Sequence, residues 1–187
     1  MFTSQTGNTV NDGDIVAGDK KTINYNINAN ASAILSLYVR LRSNEDQDSY
    51  ISRIGHKLNH YCNVSTDGDV RGLEDKLTSS NRTDLIRIAA RLKEDAAKII
   101  MRLQTSPIAQ DILTYLLSEI YSNFLLEVTP SIEKNESRSV VDALINDKVI
   151  NPALQLLGEN DLGITKEDVL GLLFFLGGNC HIRWDKC

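Results

Sequence analysis

Residues 165–176 carry the longest apolar run in the chain. Val169, Leu170, Leu172, Leu173, Phe174, Phe175 and Leu176 follow a polar start, Lys166-Glu167-Asp168. Apolar side chains surround the helical wheel instead of leaving one face polar, the pattern of a helix enclosed by the core. Thr165 stands at the N-cap position with Asp168 three residues on, and acids crowd the first turn, where the helix dipole favours them. Gly177-Gly178 predicts a left-handed C-terminal cap. A short polar and aromatic ending follows, Asn179-Cys180-His181-Ile182-Arg183-Trp184-Asp185.

Helical spacing recurs upstream. Ile34, Leu35, Leu37, Tyr38 and Leu41 mark a helix over 31–42, and Tyr50, Ile51, Ile54, Leu58 and Tyr61 mark another. Residues 71–77 read as a short helix with Leu73 and Leu77 as its apolar pair. Residues 82–104 form the clearest amphipathic helix, with Leu85, Ile88, Ala89, Leu92, Ala96, Ile99 and Leu103 on one face. Ser106-Pro107 opens the next, with proline at the first helical position. Thr129-Pro130 is expected to end it, and 139–157 to form two short helices parted around Lys148 to Pro152.

Residues 1–29 differ. Gly-Asp recurs at Gly13-Asp14 and Gly18-Asp19 with Ile15 and Val16 between, and Thr22 to Asn28 alternates strictly, placing Ile23, Tyr25 and Ile27 on one face. Period-two alternation predicts a half-buried strand. A strand with no partner in an otherwise helical chain is marginal in water. It is either an unstructured tail or an arm that pairs with its copies, and the alternation favours the arm, with Ile15, Val16, Ile23, Tyr25 and Ile27 as self-association residues. The expected fold is mainly α: a compact multi-helix domain over 30–187 behind a short β-forming N-terminal arm.

Composition narrows the chemistry. With 42% hydrophobic residues, the 187-residue chain has enough apolar content for a core, and its net charge of −5 lacks the basic excess of a nucleic-acid binder. No run reaches the roughly 18 apolar residues of a membrane span, no leader pattern is visible, and three cysteines do not make a disulfide framework; a cytoplasmic protein is expected. Arg87, Arg91, Lys98 and Arg102 share an arc of one helix, a stripe for phosphate or a solvated face, with Glu94 placed to pair with Lys98.

Phosphate-binding, dinucleotide, nucleophile-elbow and zincin motifs are all absent. His56, His60 and Cys62, and then Cys180, His181 and Cys187, form two clusters that would make a mixed metal site or a cysteine-dependent hydrolase if they met. The lack of a Cys-x-x-Cys knuckle and the terminal place of Cys187 argue against a metal, so no metal and no cofactor are expected.

The Phe-Leu-Gly-Gly-Asn-Cys-His-Ile-Arg-Trp ending, Phe175 to Trp184, resembles that of small helical domains in bacterial ABC-three-component conflict systems. Lys57 to Tyr61, Arg71 to Leu77 and Ala109 to Ile112 are similar to that family too. The resemblance implies a non-enzymatic interaction module of an anti-phage assembly, coupling an ABC ATPase component to an effector. Partners would then be other protein components, with a homo-oligomer through the arm and no membrane or direct nucleic-acid contact. Asn179, His181, Arg183 and Trp184 become the expected partner-binding residues. The plainer alternative has Trp184 covering the core edge and Arg183 pairing with a carboxylate; a hydrolase built on the His/Cys clusters or a nucleic-acid regulator using the basic stripe are the others.

Overall fold

The computed structural model describes residues 29–43, 52–66 and 70–186. These are mainly helical, and none of them lies in a strand. The β-forming arm, with Ile15, Val16, Ile23, Tyr25 and Ile27, lies outside the described residues.

Helix α1 spans Ala29–Ser43, α2 Leu58–Cys62, α3 Leu73–Ser79, α4 Ile86–Leu103 and α5 Pro107–Asn123; then come α6 Thr129–Glu133, α7 Arg138–Leu144, α8 Asn151–Leu157 and α9 Lys166–Gly178. As the apolar run predicts, α9 is the central helix: Val169 and every residue from Gly171 to Gly177 are buried. Its start is a complete capping box, the Thr165 hydroxyl accepting from the Asp168 N–H and the Asp168 carboxylate from the Thr165 N–H. α9 packs most extensively on α4. The crossing is close because residue 171 is glycine: a Cβ there would lie 2.7 Å from the Leu92 carbonyl oxygen and 3.4 Å from Ala96 Cβ. α5 forms the second inner helix, with Ile112, Leu113, Leu116, Leu117 and Ile120 fully buried, and Ser106 caps it by accepting from the Ala109 N–H.

Two expected helix ends are not ends. π turns at Phe124–Val128 and Ile145–Ile150 join α5 to α6 and α7 to α8, so that helix continues through Pro130 and Pro152. A proline ring strikes the carbonyl four residues earlier. Those carbonyls, of Leu126 and Lys148, lie inside the π turns, where the wider i→i+5 path moves them aside. The Thr129 hydroxyl donates to the Phe124 carbonyl at 3.2 Å, adding a bond within the first turn. The two π turns pack against each other.

The helix expected around Ile54 is also interrupted. Buried Asp111 on α5 accepts from the Ser52 hydroxyl at 2.5 Å and from the backbone N–H groups of Arg53 and Ile54 at 3.1 and 3.2 Å. This pins a non-helical bend ahead of a 3₁₀ turn, Gly55–Lys57, and α2. On α4, Ile88 departs from the expected buried face: it is 45% exposed.

Candidate functional site

The ending after α9 folds back onto α2 and α3. Gly177-Gly178 does not supply the left-handed cap: both glycines are helical, and the left-handed residue is Cys180, with φ of 64°. The His181 N–H bonds the Leu176 carbonyl at 2.9 Å and the Cys180 N–H that of Gly177 at 3.3 Å, the paired bonds of a Schellman turn. A residue with a Cβ in this conformation costs about 1–2 kcal/mol, so contacts beyond the turn must hold it. The Cys180 thiol donates to the Arg71 carbonyl at 3.4 Å.

Gly177 is required by close approach. A Cβ there would sit 2.6 Å from both Cη2 and Cζ3 of Trp184. The indole is 4% exposed and lies edge-on to Phe124, with ring centroids 5.8 Å apart, and tilted over Phe174 at 5.7 Å.

Beneath this turn lies a charge that the sequence pattern conceals. Lys76 is 1% exposed, and its ammonium donates to the carbonyls of Gly177 at 2.9 Å and Ile182 at 3.3 Å. The first acceptor belongs to the last turn of α9, the negative end of its dipole, where a cation is favoured. The signal was present: Lys76 stands three residues after Leu73 and one before Leu77, on the face that those leucines bury.

The ending caps α2 in return. Asn179 Nδ2 donates to the carbonyls of Tyr61 at 3.0 Å and Cys62 at 3.2 Å, the Asn179 backbone carbonyl accepts from the Ser65 N–H at 2.9 Å, and His181 Nε2 bonds the Asn63 carbonyl at 3.0 Å. Further along, Arg71 and Asp185 form an ion pair of 2.7 Å. Of the four residues expected to meet a partner, Asn179 and Trp184 are therefore buried within the domain. His181 is half-buried, and so is Arg183, which has interactions of its own within the chain.

The two His/Cys clusters do approach each other. The rings of His60 and His181 lie 5.0 Å apart, centroid to centroid, with Tyr61 and Tyr121 beside them. Burial, reinforced by His60 and opposed by the Asn63 carbonyl, holds the His181 pKa below its ordinary value. Burial also pushes the Cys62 thiol up, against the thiolate that a nucleophile or metal ligand needs. Among the described residues no three His, Cys, Asp or Glu side chains converge as metal ligands. His56 is exposed on the 3₁₀ turn, and Cys187 lies outside those residues.

The basic stripe of α4 is largely engaged. Arg91 pairs with Glu167 at 2.6 Å and Asp95 at 3.4 Å, Lys98 with Glu94 at 2.9 Å and Asp95 at 3.3 Å, and Arg102 donates to the Leu162 carbonyl at 3.4 Å.

An apolar cleft of about 530 Å³ opens between α4, α9 and the π turn Ile145–Ile150. Ile88, Leu92, Ile145, Leu170, Phe174 and Trp184 line it. Arg82, 3% exposed, closes one end, its guanidinium on Asp142 at 2.8 Å. Asp142 also binds Arg138, which grips Asp84 through two bonds of 2.7 Å.

Residues 72–184 match C-terminal domain 9 of the ABC-three component (ABC-3C) systems. The chain belongs to this family. No curated protein and no solved structure matches it. The matched span begins at Gly72, the N-cap of α3, and ends at Trp184. It thus holds the cleft, Lys76 and the ending that Lys76 fixes. The domain 9 unit is helical, and among the described residues no helix is long and apolar enough to cross a membrane.

Proposed function

We propose that the chain is a non-enzymatic interaction module of its ABC-three-component assembly, acting in the cytoplasm in defence against phage and joining the ATPase component to an effector. One observation carries this reading: the span that defines the family contains the ending as far as Trp184, the Lys76 beneath it, and every wall of an open apolar cleft. Support also comes from the side chains with catalytic character. His181 and Asn179 direct their polar atoms to backbone carbonyls of the 61–63 segment, and the Cys62 thiol is shifted away from ionisation. In this reading Asn179 and Trp184 hold the ending in place, while His181 and Arg183 present its outer side. Residues 1–29 join copies of the chain through Ile15, Val16, Ile23, Tyr25 and Ile27.

Co-expression with the other components of the system tests it. Affinity capture of the chain should retain the ATPase component, the effector or both at defined stoichiometry. Purified chain that captures neither component would overturn the reading.

A further inference from the structure

The cleft is built rather than left over. Ile145 and Ile150 both line it. In an α-helix, residues five apart point about 140° away from each other. The wider π turn, along its i→i+5 path, narrows that angle, and both isoleucines stand on the cleft wall. Opposite them, Leu85, Ile88 and Leu92 line the cleft at spacings of three and four, and Leu170, Leu173 and Phe174 add a second helical row. Ile88 stands at its mouth, 45% exposed.

We infer that this cleft receives one amphipathic helix of another component of the assembly, bearing apolar side chains on one face and a carboxylate at one end. The inference rests on the coupling role proposed above. Several features select this occupant. The wall from Leu85 to Leu92 spans seven residues, about 10 Å or two helical turns, the length over which apolar anchors at i, i+3 or i+4, and i+7 dock into a groove. Helices form the walls, so their backbone groups are already paired. An extended peptide would bury N–H and C=O groups against them without partners, whereas a helix satisfies its own. At the rim, the Lys166 ammonium donates to the neutral amide of Asn146 at 3.0 Å, while the neighbouring cations Arg82 and Arg91 already hold carboxylates. An acidic residue of the occupant supplies the countercharge that Asn146 does not.

The test uses the full chain and the purified components of its system, with binding read by calorimetry and folding by thermal melting. Ile88→Glu should weaken capture at least tenfold and Lys166→Glu several-fold, both with melting temperatures close to wild type. Leu126→Glu, at a 70% exposed position away from the cleft, should bind as wild type does. Capture that ignores Ile88→Glu and Lys166→Glu sinks the cleft assignment alone. If wild-type chain captures no component, the coupling role falls and the inference falls with it. Light scattering supplies another outcome: if Ile88→Glu divides a homo-oligomer while leaving component binding intact, the cleft holds a second copy and the inference is wrong.

Discussion

Trp184 fills the space that a side chain on residue 177 would need. The indole edge lies 2.6 Å from where a Cβ on Gly177 would stand, so helix and ending fit only with glycine at that position. Gly177→Ala should displace the ring despite the roughly 1 kcal/mol that alanine gains over glycine inside a helix. Overpacking of this kind costs about 1–3 kcal/mol. The outcome should be a lower denaturation midpoint with red-shifted tryptophan emission. Unchanged emission would mean that the ending does not pack as described.

Trp184→Ala should cost about 3–5 kcal/mol, as for large aromatic truncations in cores. Arg183→Ala separates recognition from support. If the outer side of the ending serves a partner, complex formation weakens while the melting temperature stays within a degree or two. A variant that loses its fold while any folded remainder binds normally would make Arg183 an internal strut.

Lys76→Met removes the donor to two buried carbonyls, of Gly177 and Ile182. The Gly177 carbonyl keeps its bond from the Cys180 N–H, so the loss falls on the Ile182 carbonyl; a buried acceptor left unpaired costs about 1–3 kcal/mol, which urea denaturation would register. Lys76→Glu should be far worse, since it places an acid against carbonyl oxygens. A Lys76→Met protein as stable as wild type would show that the ammonium contributes nothing net.

His181 makes stability depend on pH. Its pKa is lower in the folded chain than in the unfolded one, burial being the main cause. The unfolded state therefore binds the proton more readily, and stability rises with pH across this interval. The contribution is complete above the ordinary histidine value of about 6.5 and is lost as pH falls through the folded pKa. His181→Gln should flatten the dependence of the denaturation midpoint between about pH 7 and 5. An unaltered slope would assign that dependence to other groups.

Deleting residues 8–28 should lower the mass seen by light scattering and leave helical circular dichroism largely intact. An unchanged mass would end the proposal that the arm joins subunits. Collapse of the helical signal would place the segment in the core.

Where local chemistry decides a feature, the chain could be read directly. The apolar run of α9, its Thr165–Asp168 capping box, the Ser106-Pro107 start of α5 and the Glu94–Lys98 pair all depend on neighbours within a few residues. Lys76 depends on segments more than a hundred residues apart meeting in space, and Gly177 on Trp184 folding back over the end of α9. A lysine beside leucines reads as a solvated cation until its acceptors are known. Pro130 and Pro152 misled for a different reason. Proline ends an ordinary α-helix, but the apolar pattern ran on through Val128 and Ile132, and through Val149, Ile150 and Ala153, all of them buried. A helix can carry such a pattern past a proline if it widens first.

The distance along the chain between Lys76 and its acceptors bears on how the protein is made. Gly177 is added 101 residues after Lys76, an interval of about 5–20 s at ordinary rates of synthesis. Throughout it, the nascent chain carries an ammonium on the face that Leu73 and Leu77 bury, and no α9 carbonyl exists to receive it. The domain 9 unit lacks its central helix, α9, while the ribosome is still working through α4 to α8. Residues 166–184 supply the centre on which the preceding hundred pack.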